Sequence, residues 1–272
     1  MLIKKLKSKL FINMTHFKAL CLRYVSLICA DKISLFSLIF QAPIMLAVIL
    51  MACSTEFNVL FFAQMTMFVI SVICVIMATL NSYREICKER DVLIRETNVG
   101  LDSTSYVLSK VCVQGVICFF QTIVLVLGTS LYFDFGVVGF FPYVKYFFFT
   151  YLVLLSSTCI GLFISAILKS SDTAILPVLF IIIAQVVLSG AIIDLPQSTA
   201  WLSGITITRW AMAGYGRIFN FQAYPDASIP GLELKPIFSA TLLQSTLVLI
   251  AISIVSIALA ALAVKRLRRR RP

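Results

Sequence analysis

The chain of 272 residues is 60% hydrophobic and only 13% charged, with a formal net charge of +11. Soluble domains carry about 25% charged residues, so this composition excludes an ordinary soluble domain. The high hydrophobicity also excludes a disordered chain. An integral membrane protein remains, and the 22 Phe and 9 Tyr residues fit that class because aromatic side chains are frequent where a protein meets lipid headgroups.

Long uncharged stretches locate the membrane spans. A helix needs about 20 apolar residues to cross a bilayer, whereas strands of a membrane β-barrel would alternate over about 10 residues. Six stretches without Asp, Glu, Lys or Arg are long enough for a helix: 33–55, 57–83, 111–133, 146–168, 173–193 and 236–264. The sequence therefore predicts an all-α integral membrane protein with six transmembrane helices, at about 34–53, 57–81, 105–132, 144–168, 173–192 and 238–264.

The segments that flank this transmembrane domain (33–264) are basic. Residues 1–32 form a basic leader followed by an amphipathic helix at 15–31, and residues 265–272 form a basic tail. The helix at 15–31 is too short and polar to span, and its apolar residues recur at helical spacing, so we expect it to lie along the inner membrane surface. Those residues are Phe17, Leu20, Tyr24, Leu27 and Ile28.

The distribution of positive charge predicts the orientation of the spans. An even number of spans places both termini on one side, and loops on the cytoplasmic side carry an excess of Lys and Arg. All of the 23 Lys and Arg residues lie on the side of the termini except Lys145, Arg209, Arg217 and Lys235. Both termini are therefore predicted to be cytoplasmic, and the basic tail is expected to contact anionic lipid or to act as a stop signal.

Two of the loops are predicted to fold. The cytoplasmic loop 82–103 is rich in charge and predicts a helix from Tyr83 to Asn98 that ends at Gly100 as a left-handed cap. The outer segment 193–235 is neither apolar enough to span nor polar enough to be a coil. Its tryptophans, Trp201 and Trp210, predict short interfacial or re-entrant helices before the last span.

Several kinds of chemistry are missing from the sequence. There is no GxxxxGK[ST] motif for ATP, no HExxH and no GxSxG, so we predict no catalytic residue and no metal site, and the chain is not an enzyme by itself. No span carries a charge near its middle, unlike ion-coupled transporters. Nothing resembles a nucleic-acid module. The eight cysteines form no CxxC or Cys/His cluster and are expected to be reduced packing residues.

The order of these features resembles the membrane subunit of a type-2 ABC exporter, in particular the ABCG (white) subfamily and its bacterial relatives. Three stretches carry the resemblance, and they extend over about 15–264. The first runs from Leu20 and Arg23 through Asp31 to Gln41 and Pro43, the second joins Glu89-Arg90, Arg95-Glu96, Gly100, Tyr106 and Lys110, and the third joins Gln185, Ser189-Gly190, Trp201-Leu202 and Arg209-Trp210. The sequence departs from the family pattern at Asp102, where a tyrosine is usual, and at Ala213, where an acidic residue is usual.

The resemblance implies a permease that forms half of a translocation pathway. Two copies, identical or different, would face each other, and each would bind an ATP-binding subunit that carries the ATP and Mg, since the chain itself holds no cofactor. Its other partners would be membrane lipids, and its location would be the bacterial cytoplasmic membrane. The absence of cysteine from the outer segment favours a bacterial protein.

The resemblance also implies roles for particular residues. Coupling to the ATPase would use Glu89, Arg90, Arg95 and Glu96, with Glu96 paired to Arg23 of the surface helix. The substrate pathway would run between spans two and five, lined by Phe61, Met65, Phe68, Phe180, Gln185 and Ser189. An apolar lining of this kind suits an amphipathic or lipid-like substrate. The outer lid would consist of Trp201, Arg209 and Trp210.

Other interpretations stay open at this stage. The charged residues of loop 82–103 could simply solubilise a connection, and the aromatic stripes could pack against lipid or other spans. The protein could be an accessory or assembly subunit that transports nothing, or a channel, although no charged ring or filter-like segment is present. A lipid-modifying enzyme would need clustered His, Asp or Glu at a membrane face, and the single His16 has no such neighbours in the sequence.

Overall fold

A computed structural model describes residues 14–53, 55–137, 139–168, 170–190, 200–224 and 236–267. The first part of the basic leader, most of the basic tail and two parts of the predicted outer segment (191–199 and 225–235) lie outside the described residues. In the described ranges the chain folds into ten α-helices and three short 3-10 turns, without a β-strand.

The helices follow one another with short connections. We number them α1 to α10 in chain order: α1 Met14–Ala30, α2 Lys32–Ala52, α3 Leu60–Ser82, α4 Arg90–Val99, α5 Ser103–Tyr132, α6 Phe141–Ile167, α7 Ser171–Val187, α8 Ala200–Ser203, α9 Ile207–Ile218 and α10 Leu242–Leu267. Side-chain caps begin several of them. The carboxylate of Asp31 accepts a hydrogen bond from Ser34 N at the start of α2, and that of Asp102 accepts one from Ser105 N at the start of α5.

Among the described residues, five helices are long and apolar enough to cross a membrane, namely α2, α3, α5, α6 and α10. The fifth predicted span, 173–192, corresponds to α7, which is apolar but has only 17 residues and ends at Val187. After α7 the chain turns, and Gly190 takes a φ of 71°, a left-handed conformation that glycine adopts without steric cost. These helices confirm the predicted all-α integral membrane protein.

Helix α6 lies at the centre of the bundle and packs against α3, α5 and α10. Its small residues let the neighbours come close. A Cβ atom at Gly161 would lie 2.0 Å from Ser82 Oγ of α3, so only glycine fits at this crossing. Close backbone approach through small residues is the usual way in which helices associate in lipid, where the hydrophobic effect contributes little.

The two ends of the bundle have different compositions, and we call them the α4 end and the α9 end. At the α4 end, the apolar residues Leu20, Leu93, Tyr106 and Val264 pack into one buried cluster that joins α1, α4, α5 and α10. At the α9 end, a set of aromatic rings closes the bundle: Phe57, Phe135, Tyr146, Phe219 and Phe221.

The helix expected between Tyr83 and Asn98 is shorter than predicted. The chain makes turns after α3, and α4 begins only at Arg90. The reason is that the backbone N–H groups of Ile86 and Cys87 donate to Ser165 Oγ of α6, at 2.9 and 3.0 Å, which removes them from helical bonding. The predicted end of the helix is confirmed, since Gly100 takes a φ of 113° and its N–H bonds back to the last turn of α4.

Helix α1 covers the predicted surface helix, but its apolar stripe contacts the protein itself. Leu20, Tyr24 and Ile28 are buried, with Tyr24 and Ile28 against Val113 of α5. Leu27, which the periodicity assigned to the same stripe, is exposed. The buried stripe therefore fastens α1 to the base of α5.

Candidate functional site

The α4 end holds a cluster of ionisable side chains from four parts of the chain. We call it the charged cluster; α1, the segment before α4, α4 itself and the start of α5 contribute Arg23, Tyr24, Glu85, Glu89, Glu96, Tyr106 and Lys110. The apolar cluster of the α4 end brings these elements together, because it packs residues of α1, α4 and α5 against α6 and α10.

Lys110 is the most buried charge of the cluster, with 1% of its surface exposed. Its Nζ lies 2.6 Å from Glu89 Oε1 and 3.6 Å from the centre of the Tyr24 ring. The hydroxyl of Tyr106 donates to the other oxygen of Glu89, at 3.0 Å. A buried ammonium is tolerated only with a well-placed partner, so Glu89 and Lys110 bind the segment before α4 firmly to the base of α5.

Tyr24 connects α1 to the same place. Its hydroxyl donates to Glu85 Oε2 at 2.5 Å and accepts a hydrogen bond from Gln114 Nε2 at 2.9 Å. Burial first, and then the nearby charge of Glu85, raise the pKa of Tyr24 well above its ordinary value, so the phenol stays a donor. On the outer side of Glu85, Lys88 Nζ lies 2.6 Å from Glu85 Oε1.

Arg23 joins α1 to α4. Its Nη1 forms an ion pair with Glu96 Oε1, and its Nη2 lies 3.9 Å from Glu89 Oε2. The pairing of Arg23 with Glu96 that the sequence predicted is thus present. Because the Arg23 side chain is partly exposed, this contact is weaker and easier to exchange than the buried pair of Lys110 and Glu89.

Of the four residues of loop 82–103 that are expected to contact an ATPase, three bond to other parts of the chain and one is exposed. Glu89 and Glu96 turn inward to the charged cluster, and Arg90 Nη1 donates to the carbonyl oxygen of Leu168 at the end of α6, at 2.5 Å. Arg95 is exposed. It shares the outward face of α4, together with the preceding turn, with other exposed residues: Lys88, Asp91, Val92 and Val99.

Sequence reasoning missed several members of the charged cluster. Lys110 and Tyr106 belong to the motif that carried the family resemblance, but they were not selected as site residues, and Tyr24 was assigned only to an apolar stripe. A signal was available, because a lysine at the start of a long apolar run needs a partner when it is buried. The partner itself could not be found by spacing, since Glu89 lies in an earlier loop.

The expected pathway residues do not come together in one place. On α3, Phe61 and Met65 are about half-exposed, and Phe68 packs against the core. On α7, Phe180 is 74% exposed. Their exposure leaves an apolar surface on each of these helices, available to lipid, to a substrate or to a second copy.

Gln185 and Ser189, in contrast, are buried inside the chain. The side-chain oxygen of Gln185 accepts hydrogen bonds from the backbone N–H of Ile207, at 2.7 Å, and of Thr208, at 3.4 Å. Gln185 therefore caps the beginning of α9 and supplies an acceptor for N–H groups that a helix start leaves unpaired. Ser189 Oγ donates to the carbonyl of Val186 at 2.7 Å.

The expected lid residues lie around the start of α9. Trp201 is largely exposed. The indole N–H of Trp210 donates to the carbonyl of Gly204 at 2.8 Å, and Arg209 donates to Ser203 Oγ. The Arg209 guanidinium also lies 5.6 Å from the centre of the Trp210 ring. Arg209 and Trp210 thus hold the turn between α8 and α9, whereas Trp201 points to the surroundings.

The family assignment follows from a match over most of this fold. The family model of the ABC-2 type transporter matches residues 15–219, from the surface helix α1 to the end of α9. The chain belongs to the ABC-2 type transporter family. All residues of the charged cluster lie within the matched range, so the family match covers the candidate site as well as the helices from α1 to α9.

One curated relative is a larger protein. The ABC transporter ATP-binding/permease protein Rv1747 of Mycobacterium tuberculosis is 31% identical to the chain over 146 residues, which are 51% of this chain and 17% of that protein. The chain thus spans less than a fifth of the length of this relative, whose name combines an ATP-binding part with a permease.

Membership of the ABC-2 family fixes the general role of the chain. An ABC-2 membrane domain is a transport permease rather than a catalytic domain, and permeases of this family generally work in pairs together with ATP-binding subunits. The chain is therefore the membrane part of an ABC transporter, embedded in the membrane by its apolar helices.

Proposed function

We propose that the chain is the permease of an ATP-driven exporter for amphipathic or lipid-like molecules, and that it forms half of the pathway with a second copy. ATP and Mg are bound by a partner subunit, and this chain catalyses no reaction of its own. Both termini and the α4 end face the cytoplasm of a bacterial cell, as the excess of Lys and Arg on that side favours.

The observation that carries the proposal is the charged cluster. Mechanical coupling needs packed, rigid elements that move together. Through Arg23, Glu89, Glu96 and Lys110, the cluster connects α4, which protrudes between two spans, to the surface helix α1 and to the base of the span α5. A force applied to α4 by a partner is therefore passed to α1 and α5 together. The exchangeable pair of Arg23 and Glu96 is the contact that changes first.

The outward face of α4 is the proposed contact surface for the ATP-binding subunit. It combines the charged residues Lys88, Asp91 and Arg95 with two apolar ones, Val92, which is 50% exposed, and Val99, which is 91% exposed. An exposed valine on a charged helix gains stability when a partner covers it. The charges around it supply the polar rim that protein interfaces usually have.

The substrate class follows from the exposed apolar residues of α3 and α7. Phe61, Met65 and Phe180 offer hydrocarbon and aromatic surface and no charge. Two copies that face each other across these helices would enclose an apolar path, which suits a molecule with a hydrocarbon part. Gln185 and Ser189 are not needed as pathway residues in this proposal, since both bond within the chain.

Purification with the native partner tests the proposal. We expect the tagged chain, extracted in mild detergent, to carry a stoichiometric P-loop protein with vanadate-sensitive ATPase activity. The substitution Arg95→Glu should reduce co-purification and ATPase activity at least tenfold, with an unchanged melting temperature, because Arg95 is exposed and the change reverses a charge of the contact surface.

The matched control is Lys18→Glu, which makes the same charge change at an exposed position of α1, outside the proposed contact surface, and should leave association intact. If no ATPase co-purifies with the unmodified chain, the exporter proposal fails and an accessory subunit or a channel takes its place. If Arg95→Glu binds the ATPase as well as the unmodified chain does, the contact surface is wrong.

A further inference from the structure

A slot lies between the spans α2 and α5, on the side of the bundle next to α1. Leu35, Leu38 and Ala42 of α2 line it together with Ile117 and Val124 of α5, and its volume is about 340 Å³. Small-molecule sites in proteins usually have volumes of about 300–1,000 Å³. Because both helices are long and apolar enough to cross the membrane, the slot lies at the depth of the lipid hydrocarbon.

The slot opens to its surroundings between apolar side chains. Ile39 of α2 and Phe120 of α5 both line it, and they are 60% and 63% exposed. Apart from Gln121, each residue that lines the slot is apolar. Such a lining disfavours a charged occupant, since nothing in it would replace the water that a charge loses. A hydrocarbon chain is the occupant that the lining suits.

Gln121 of α5, the polar residue in this lining, uses only half of its amide. The side chain is 4% exposed, and its Oε1 accepts a hydrogen bond from Asn81 Nδ2 of α3, at 3.4 Å. Its Nε2 is buried and has no hydrogen-bond partner among the residues that the structure describes. A buried N–H group without an acceptor is unfavourable. An oxygen atom of an occupant in the slot would supply that acceptor.

The place of Gln121 in the slot determines where the occupant must carry its oxygen. Helix α2 begins at Lys32, a charged residue at the membrane boundary, and the middle of the α2 side of the slot lies between Leu38 and Ile39. With a helical rise of 1.5 Å per residue, this is about 10 Å into the hydrocarbon layer. Gln121 lies halfway between the α5 residues Ile117 and Val124, in the middle of the other side.

We propose that the slot binds the hydrocarbon chain of a lipid-like molecule that carries an uncharged oxygen, in a hydroxyl or a carbonyl group, about 10 Å from its head group. Gln121 Nε2 donates a hydrogen bond to this oxygen. The head group stays at the membrane boundary, and the chain lies between α2 and α5. This site is separate from the proposed pathway along α3 and α7, and its occupation needs no ATPase.

Fatty-acid binding to the purified full-length chain in detergent tests the proposal without any variant. The probes are stearate, 10-hydroxystearate, 10-oxostearate and 2-hydroxystearate, and the last of these keeps its hydroxyl next to the carboxylate. Each probe competes with radiolabelled 10-hydroxystearate. We expect the two probes with an oxygen at carbon 10 to bind about tenfold more tightly than stearate, because one hydrogen bond satisfies a buried amide. We expect 2-hydroxystearate to bind as stearate does.

The competition has clear outcomes. A tighter binding of only one of the two carbon-10 probes supports the proposal and shows which oxygen group the slot prefers. Equal affinities for all four probes overturn it, because the position of the oxygen would then have no effect. The absence of any saturable binding also overturns it, and a second copy of the chain is then the better candidate to cover the slot.

The substitution Gln121→Leu tests the role of the amide. Leucine keeps a side chain of similar size and removes the N–H donor, so stearate should bind as before and the tenfold preference should disappear. The matched control is Gln244→Leu, the same change at an exposed glutamine of α10, which should keep the preference. If the preference persists in Gln121→Leu, Gln121 is not the donor and the proposal is wrong.

Photolabelling tests the location of the site. A derivative of 10-hydroxystearate with a diazirine near the end of its chain is irradiated with the unmodified chain in lipid vesicles, and the labelled peptides are mapped by mass spectrometry. We expect labels within 35–42 of α2 and 117–124 of α5. Equal labelling of all exposed apolar helices would show general contact with lipid and overturn the proposal. The ATPase is absent from these measurements, so they decide on the slot even if the proposed function fails.

Discussion

The two ends of the bundle are closed by opposite kinds of interaction. At the α4 end, ion pairs and hydrogen bonds among Arg23, Glu85, Glu89, Glu96 and Lys110 connect the elements. At the α9 end, aromatic rings pack edge to face, with the Phe57 and Phe135 ring centres 4.8 Å apart. Arg217 at this end donates to the backbone carbonyl oxygens of Ser239 and Ala240.

The α9 end is rigid, whereas the α4 end combines the firmly held pair of Lys110 and Glu89 with an adjustable pair, Arg23 and Glu96. Packed rings lose many dispersion contacts when they separate, so intermediate positions are unfavourable. Ion pairs at a partly exposed surface can exchange partners at a cost of under about 1 kcal/mol. The α4 end therefore suits a contact that changes during a transport cycle. The α9 end suits a fixed closure around the start of α9.

The largest effect on stability is expected from Glu89→Gln. This substitution tests whether the α4 end has a rigid centre of its own. The change leaves Lys110 as a buried cation without its carboxylate, and loss of one partner of a buried pair costs about 3–5 kcal/mol. We expect a large drop in the melting temperature of the chain in detergent, measured by the loss of monodisperse protein on size exclusion after heating.

The double variant Glu89→Leu with Lys110→Met is the control for that prediction. Removing both charges leaves no unpaired ion, so most of the lost stability should return. A melting temperature that stays as low as in the single variant would show that shape, rather than charge, makes Glu89 important.

An intermediate effect is expected at the α9 end from Gly214→Ala. A Cβ atom at this position of α9 would lie 2.0 Å from Cζ of Phe149, a buried ring of α6. Because the ring is enclosed, the helices must separate, and overpacking of this kind costs about 1–3 kcal/mol. The same heating assay measures it.

Gly115→Ala on α5 is the matched control, because its Cβ would meet the Tyr151 hydroxyl at 3.3 Å and the neighbour can move aside. We expect a much smaller change there. Equal melting temperatures for Gly214→Ala and the unmodified chain would mean that α9 and α6 can move apart at the α9 end without loss of stability.

The smallest effect is expected from Tyr215→Phe. The hydroxyl of Tyr215, completely buried in α9, shares a hydrogen bond of 3.0 Å with Thr150 Oγ1 of α6, while the ring packs on Phe149 and Tyr146. The variant keeps the ring contacts and loses about 1 kcal/mol for the hydrogen bond. Tyr132→Phe, at a half-exposed tyrosine, should not change the melting temperature. If Tyr215→Phe lowers the melting temperature as much as Gly214→Ala does, the stability of the α9 end depends on polar contacts.

The spans could be predicted from the sequence because uncharged stretches of sufficient length have few alternatives in lipid. The Gly100 cap and the pair of Arg23 and Glu96 were also predicted, the first from local backbone chemistry and the second from the family resemblance. The shortened α4 was not, because the competing acceptor, Ser165 Oγ, lies on a helix that comes much later in the chain.

Contacts between distant parts of the chain also explain why some predicted site residues lie elsewhere than the sequence indicated. Helical spacing tells which side chains share a face, but it does not tell which neighbour covers that face. The family resemblance placed Gln185 in a pathway between spans two and five, and the structure instead shows its side-chain oxygen bonded at the start of α9. Glu89 and Arg95 looked alike in the sequence, and only tertiary packing shows that Glu89 pairs with the buried Lys110 whereas Arg95 is exposed.

The short α7 has a consequence for the surrounding lipid. Its 17 residues extend over about 26 Å, whereas the hydrocarbon layer of a typical bilayer is about 30 Å thick. Such hydrophobic mismatch is relieved when the bilayer becomes thinner beside the helix, at a cost of a fraction of a kcal/mol per Å. Thinning of this kind would compress the lipid next to the exposed side chains of Leu176 and Phe180, and it would shorten the apolar distance across the membrane along this helix.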